Sequence, residues 1–478
     1  MSFDLTDLIP ILPELVVLVL ASTILVVDLY LKKEQKAINH TLAMIGLIVA
    51  IAAVGLAGGG ERQVAFGGSF VRDAMSDALK GLTFLVTLLT FVYAKGWLRD
   101  RGMLVGEFYV LALFAVLGML VLISANSLLT VYLGLELMAL CLYALVAFDR
   151  DSQTGAEAAM KYFVLGALGS GMLLYGASMI YGTTGSIELG TIAKAVAAQG
   201  LENRVLVFGL VFLVVGIGFK FGAVPFHMWV PDIYQGAPTP VVAFLGSVPK
   251  LAAFALAIRV LAEGLGDLQP DWQGMLMILA ILSMGLGNLV AIAQTNLKRM
   301  LAYSTISHVG FLFLGLLAGT AQGYASAMFY AMVYAPMAAG SFGILALISR
   351  QGFDAENIGD LKGLNQRSSW YAAMMALLLF SLAGVPPTVG FMAKLLVLEA
   401  VVRIELVWLA LVAVFFSIVG AFYYLRVVKV MYFDTAETDA PLVVSGGATV
   451  AFSINGLAML VVGLFPASLL GLCQAAFA

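Results

Sequence analysis

The sequence predicts an all-α integral membrane protein with about fourteen transmembrane helices. Three observations carry this reading: 62% of the 478 residues are hydrophobic, only 11% are Asp, Glu, Lys or Arg, and the apolar runs repeatedly reach spanning length. An ordinary soluble domain carries roughly 25% charged residues. No single water-soluble core buries this much apolar surface, so the bilayer must be the solvent for most of the chain. The 50 glycines suit close helix–helix approach in a membrane.

Runs of about 20 apolar residues fall at 8–31, 38–58, 76–95, 105–124, 128–148, 157–182, 203–230, 240–262, 272–293, 299–319, 323–349, 370–402, 405–431 and 446–475. The first is read as a retained helix and not a removed signal peptide, because no basic region precedes it and no small-residue cleavage site follows cleanly. Loop Lys and Arg set the orientation. One side collects fourteen of them, among them Lys32, Lys33, Lys95, Arg99, Lys298, Arg299, Arg350 and Arg426; the other holds six, Arg62, Arg72, Lys194, Arg204, Arg259 and Arg403. Both termini of this multi-pass protein are therefore expected away from the cytoplasm.

Several chemistries are excluded. The net charge of −3 gives no sign of a nucleic-acid partner. Cys141 and Cys473 stand far apart in apolar runs, and His40, His227 and His308 are scattered, so neither a Cys-ligated cluster nor a Cys/His metal site is expected. No G-x-G-x-x-G or Walker-type loop follows a strand. The chain is expected to bind no cofactor of its own.

What remains is a set of ionisable residues inside spans. Such a group costs at least about 2.5–3.5 kcal/mol at the bilayer centre and is rare without a role. At 1.5 Å per residue, Glu136 lies about 13 Å into span five, Lys250 about 15 Å into span eight and His308 about 14 Å into span ten. Lys220 falls near the middle of span seven. Independent structural polar residues would scatter in depth, whereas these share a plane, as an in-plane chain for protons or small cations would. A desolvated Lys can exchange a proton near neutral pH. The rival for Glu136 and Lys220 is a permanent ion pair stapling two helices. Lys161, about four residues into span six, can snorkel and ranks lower; Lys80, at the start of span three, can do the same.

Two spans read as broken. Span seven contains GFKFGAVPFHMWVPDIYQGAPTP, and a continuous helix past Pro225 is not expected. Span twelve contains SLAGVPPTVGFMAKLLVLE, with Pro386 and Pro387 in mid-span and Lys394 seven residues beyond. Five spans separate the breaks, and an odd repeat length inverts the second copy, so spans 4–8 and 9–13 form an expected inverted pair. The chain divides accordingly into a three-helix segment (1–104), a first repeat (105–265), an inverted second repeat (266–432) and a C-terminal helix (433–478). In that register Glu136 corresponds to His308. Paired interrupted helices in inverted halves point to a transporter-type ion site. His227, just past the first break, either protonates near neutral pH or hydrogen-bonds freed carbonyls. Pro336 in span eleven, without a polar companion, reads as a kink.

The stretches KYFVLGALGSGMLLYG from Lys161, FKFGAVPFHMWVPDIYQGAPTPV from Phe219, QTNLKRMLAYSTISHVGF from Gln294, SLAGVPPTVGFMAKL from Ser381 and FYYLRVVKVMY from Phe422 resemble the antiporter-like subunits of respiratory complex I and of multisubunit cation/proton antiporters. The resemblance implies that Glu136 and Lys220 are the family's coupled Glu–Lys pair, Lys250 its central proton carrier, His308 a bridging group and Lys394 the terminal carrier on the broken twelfth helix. It implies a proton-translocating membrane-arm subunit with other membrane-arm subunits and lipid as partners. NADH, FMN, iron–sulfur clusters and quinone would then sit on other subunits, the enzyme being the whole complex. A Lys at 394 argues against the family branch with Glu there. The corresponding protein of the stand-alone cation/proton antiporters shares the Lys and the length and is the rival.

Overall fold

Cap residues cut the apolar runs into helices. Ser127, Ser152, Asn203, Asn296, Thr320 and Ser445 each sit just before a run and accept a hydrogen bond from a backbone N–H of its first turn. The structure, a computed structural model, describes residues 8–57, 62–199, 203–436, 442 and 444–478. Its helices are α1 (Leu12–Tyr30), α2 (Ala37–Ala57), α3 (Ala74–Asp100), α4 (Gly106–Ile123), α5 (Leu128–Val146), α6 (Gln153–Thr184), α7 (Leu189–Gln199), α8 (Arg204–Phe221), α9 (Trp229–Gly236) and α10 (Thr239–Leu245). They continue with α11 (Pro249–Ala257), α12 (Gln269–Ile292), α13 (Leu297–Leu317), α14 (Ala321–Ile348), α15 (Leu364–Arg367), α16 (Ser369–Ala383), α17 (Val389–Arg403), α18 (Val407–Phe433), α19 (Gly446–Leu464) and α20 (Ala467–Ala475). A small antiparallel hairpin, β1 (Gln63–Ala65) and β2 (Phe70–Arg72), joins α2 to α3.

Among the described residues, 13 helical stretches are long and apolar enough to span a membrane. The fourteenth expected span, the twelfth in order, is absent from that set because it is two pieces, α16 and α17, each too short alone. Span seven stops at Phe221 as its prolines require and resumes as α9. Span eight breaks too, which the sequence reading missed: α10 and α11 are separated at Gly246–Val248, directly before Pro249 and Lys250. Pro336 does not end α14, and it has a polar companion after all, since its carbonyl accepts from Asn455 Nδ2 at 3.1 Å.

The helices that carry the ionisable row lie at the centre. α10 with α11, α13 and α14 are almost wholly buried, whereas α1, α6, α18 and α19 present broad apolar faces outward. The first two helices of each repeat cross at glycine, where a Cβ would meet backbone: Gly118 of α4 lies against Gly134 O and Met138 N, and Gly287 of α12 against Tyr303 O and Ser307 N. The same residue offset carries the cap Ser127 onto Asn296, which supports a repeat. It also corrects the expected register: Thr305, not His308, stands at the place of Glu136, and His308 lies a turn further along.

Two buried charge clusters hold the side of the protein where α3 begins. Arg259, fully buried, donates to Asp73 at 2.7 and 2.9 Å and to Glu263 at 2.5 Å. Lys80 does not snorkel: it is fully buried, and Glu14 of α1 contacts its ammonium at 2.7 Å. Glu14 and the Phe70 ring hold the ammonium inside the protein.

Burial pushes the Asp73 carboxyl up, but the Arg259 guanidinium outweighs it and holds the group below the usual carboxylate range. Asp73→Asn leaves Arg259 with Glu263 alone, so it should cost less than the roughly 3–5 kcal/mol of a fully broken buried pair, read as a lower unfolding temperature in detergent. Because the folded-state value is depressed, this contribution is complete above about pH 4 and is lost as pH falls through the lowered value.

Candidate functional site

Inside a bilayer every backbone carbonyl freed by a helix break needs a partner from the protein or from internal water. α8 and α16 end alike. Each terminates on a glycine in the left-handed region, Gly222 at φ 76° and Gly384 at φ 84°, a conformation that glycine adopts without a Cβ penalty. The next two N–H groups fold back in the same pattern: Gly222 to Phe219 at 2.9 Å and Ala223 to Gly218 at 2.8 Å, Gly384 to Ser381 at 3.0 Å and Val385 to Phe380 at 2.9 Å. That leaves open the last carbonyl of each helix. A buried lysine takes it: Lys250 Nζ donates to Phe221 O at 2.7 Å, and Lys394 Nζ to Ala383 O at 2.8 Å. The Val224–Pro225 and Pro386–Pro387 bonds beyond these ends are cis.

The lysines share one kind of surrounding. Lys220, in the last turn of α8, donates to Ser170 Oγ of α6 at 3.0 Å; Lys394 also donates to Ser417 Oγ of α18 at 2.9 Å. An aromatic face lies near each ammonium: Phe219 at 5.8 Å from Lys220, Trp229 at 5.6 Å from Lys250 and Phe311 at 4.9 Å from Lys394. Among the described residues none of the three forms an ion pair with a carboxylate. The stapling pair considered for Glu136 and Lys220 is therefore absent. Glu136 is half-buried with Oε1 unpartnered, within electrostatic range of Lys220 but not bonded to it.

Small cavities lie beside Lys220, Lys250 and His308. One of about 20 Å³ touches Lys220, Lys250, Trp229 and Tyr162, enough for a water molecule. A narrower one, with apolar walls, lies among Lys250, His308, Tyr330 and Tyr334. The His308 ring is held from both edges, Nδ1 by Tyr330 Oη at 2.7 Å and Nε2 by Tyr424 Oη at 3.1 Å. Tyr424 also bonds the Ser304 hydroxyl. Phe311, one helical turn from His308, lies against the Lys394 ammonium. The sequence reading found the charged members of the row but not Ser170, Ser417, Tyr330 or Tyr424. Hydroxyls add little to the cost of a span, so only their placement within apolar runs could have signalled them.

Lys161 and His227 stand apart. Lys161 pairs with Glu157 at 2.8 Å and Asp232 at 2.9 Å, and Arg299 of α13 binds the other Asp232 oxygen at 2.7 Å. They line a cavity of about 380 Å³ on the Lys/Arg-rich side, with Asp354 and Glu356 opposite. Burial raises the Asp232 carboxyl, and the two cationic partners outweigh it, so that it stays below the usual range. His227 lies on the turn after Pro225, its Nδ1 buried without a partner, and lines neither cavity of the row.

Broken helices capped by buried lysines, in a predominantly helical membrane fold, define an antiporter-type ion-translocating subunit. The family model described as "NADH:quinone oxidoreductase/Mrp antiporter, TM" matches residues 125–420. NADH-quinone oxidoreductase subunit N of Thioalkalivibrio sulfidiphilus is 55% identical over 100% of this chain and 99% of its own, and that of Thiobacillus denitrificans 54% over 99% and 98%. A chain in the structure titled "Respiratory complex I from Thermus thermophilus with bound Aureothin" superposes with a TM-score of 0.84 at 34% identity, over 97% of this chain and 100% of that one. The Mrp complex of Dietzia sp. shares the fold at 21% identity and a TM-score of 0.85, over 100% of this chain and 97% of that one. The chain belongs to the NADH-quinone oxidoreductase subunit N family.

The two halves of the broken twelfth span meet where Gly390 lies on the Ser381 carbonyl, with no room for a Cβ. Gly390→Ala should destabilise by about 1–3 kcal/mol through overpacking. Gly171→Ala, facing open space, should be neutral or slightly stabilising, and thermal unfolding of the two variants checks the contrast.

Proposed function

We propose that this chain is a proton-translocating membrane-arm subunit of bacterial NADH:quinone oxidoreductase, with Glu136, Lys220, Lys250, His308 and Lys394 as its proton-carrying row. The observation that carries the reading is that three buried lysines lack counter-ions, while one cavity lies between Lys220 and Lys250 and another brings Lys250 beside His308. A lysine with a carboxylate partner would hold its proton; these are held by carbonyls, hydroxyls and rings, which can accommodate the ammonium without locking it.

In this mechanism Glu136 sets the charge state of Lys220 from electrostatic range. Protons enter from the cytoplasm at the Lys161–Asp232–Arg299 mouth, load Lys220 and Lys250, pass through internal water to His308 and its tyrosines, and move on to Lys394. Each transfer breaks one N–H or O–H bond and forms the next. The energy comes from quinone reduction on other subunits, which carry NADH, FMN, iron–sulfur clusters and quinone. The partners are the neighbouring membrane-arm subunits, against the apolar outer faces of this chain. It lies in the inner membrane with both termini outside, as the Lys/Arg bias supports.

The test is proton uptake by the purified complex in proteoliposomes. Lys250→Ala and Lys394→Ala should assemble yet lower proton uptake several-fold. Undiminished pumping by both variants would make the row a structural scaffold, and uptake requiring a specific alkali cation would make the chain a cation exchanger.

A further inference from the structure

The short helix α9 is held at its far end by the second repeat. The carbonyl of Ala237, the residue that ends α9, lies before Pro238 and Pro240, neither of which has an N–H to offer it. Lys298, in the first turn of α13, takes it: Nζ donates to Ala237 O at 2.9 Å. This is the arrangement of Lys250 and Lys394 with one difference. The Lys298 side chain, 2% exposed, also donates to Glu356 Oε1 at 2.7 Å, and Asp354 acts on it at longer range. A lysine so compensated keeps its proton and is no member of the row. A buried ion pair is a poor staple, because apolar residues of like volume often hold two elements together as well. What apolar residues cannot supply is a donor for the Ala237 carbonyl.

The neighbours of this contact show what it positions. Arg299, beside Lys298, donates to Asp232 at 2.7 Å and to Gln235 at 3.1 Å. Asp232, Gln235, Ala237, Arg299 and Glu356 all line the mouth cavity. At the other end of α9 the Trp229 ring faces the Lys250 ammonium at 5.6 Å, and its Nε1 donates to Phe219 O at 3.0 Å. α13 carries His308 about 15 Å along the helix from Lys298. The loop before α16 completes the grip: Leu297 N donates to Glu356 O at 2.6 Å, and Ile358 N to Thr295 O at 3.0 Å. A helix of eight residues thus bears both a mouth carboxylate and the ring beside Lys250. Its hold comes from the helix of His308.

We propose that Lys298 is a positioning residue for proton loading: with its charge fixed by Glu356, it clamps the end of α9 to α13 and so sets Asp232 at the mouth and Trp229 beside Lys250. The inference rests on the proposed proton-translocating function. Lys298 keeps its proton throughout, and no bond to it forms or breaks. Without the clamp α9 shifts, and the step that slows is delivery of protons from the mouth to Lys250. A slow loading step speeds up as protons become more plentiful on the loading side. Loss of a carrier within the row is not relieved in that way.

The test is Lys298→Met in the purified complex in proteoliposomes, with Lys250→Ala run beside it, each compared with the unaltered complex at the same pH. Met keeps the apolar body of the side chain and removes the donor and the charge. The inference expects an assembled complex whose proton uptake per NADH oxidised falls several-fold at alkaline pH and recovers as pH on the loading side is lowered. Uptake and pH dependence like those of the unaltered complex overturn it. A deficit of one size at every pH, as for Lys250→Ala, also overturns it and makes Lys298 a carrier. Undiminished pumping by Lys250→Ala overturns the proposed function itself. Should Lys298→Met not assemble, Glu356→Gln decides, because it removes the charge that fixes Lys298 and leaves an oxygen to accept from it. The same pH-relieved deficit there supports the inference, and normal uptake with normal pH dependence overturns it. Failure of both variants to assemble overturns it in favour of a staple.

Discussion

The rest of the structure depends on a buried ammonium meeting the open end of a severed helix. Without Lys250 the Phe221 carbonyl, and without Lys394 the Ala383 carbonyl, would have only internal water to meet it in the middle of a membrane. The same contacts hold the two ammonium groups at depth, because the last turn of a helix carries partial negative charge that favours a cation. Break and lysine therefore require each other. The glycines at 222 and 384 make the turn, the folded-back N–H groups take earlier carbonyls, and the last carbonyl of each helix goes to the lysine.

Charge is handled in two ways in this chain. At its edges it is compensated: Arg259 has Asp73 and Glu263, and Asp232 has Lys161 and Arg299. Such pairs fix loops and helix ends and are costly to break. Along the central row it is not: Lys220, Lys250 and Lys394 meet oxygens that carry no full charge, and Glu136 has no bonded cation. A structural role would favour the first arrangement throughout, and the contrast is the physical basis for assigning movement of charge to the centre and stability to the rim.

Much of this was legible in the sequence because the bilayer makes composition decisive. Apolar run lengths gave the spans, and Pro225, Pro386 and Pro387 gave two breaks because proline removes a donor that nothing else in a span replaces. The third break, at Gly246–Val248, escaped because the apolar run continues through it and Pro249 begins a helix there instead of ending one. Lys80 was misjudged because its position in the run says how deep it lies but not that α1 closes over it. The register of the two repeats, Thr305 at the place of Glu136, depends on which glycines let backbones touch, and that requires the packed helices. Tyr330, Tyr424, Ser170 and Ser417 were silent because a hydroxyl is nearly free of charge cost in a span.

The central claim is that the row is one hydrated, uncompensated path. The most direct measurement is a high-resolution experimental structure of the assembled complex in which ordered water is resolved. The account predicts a water between Lys220 and Lys250, and water or a shared hydroxyl between Lys250 and His308, with Lys250 and Lys394 on their helix-end carbonyls. A dry apolar partition between Lys220 and Lys250, or a carboxylate closed onto either lysine, would contradict it.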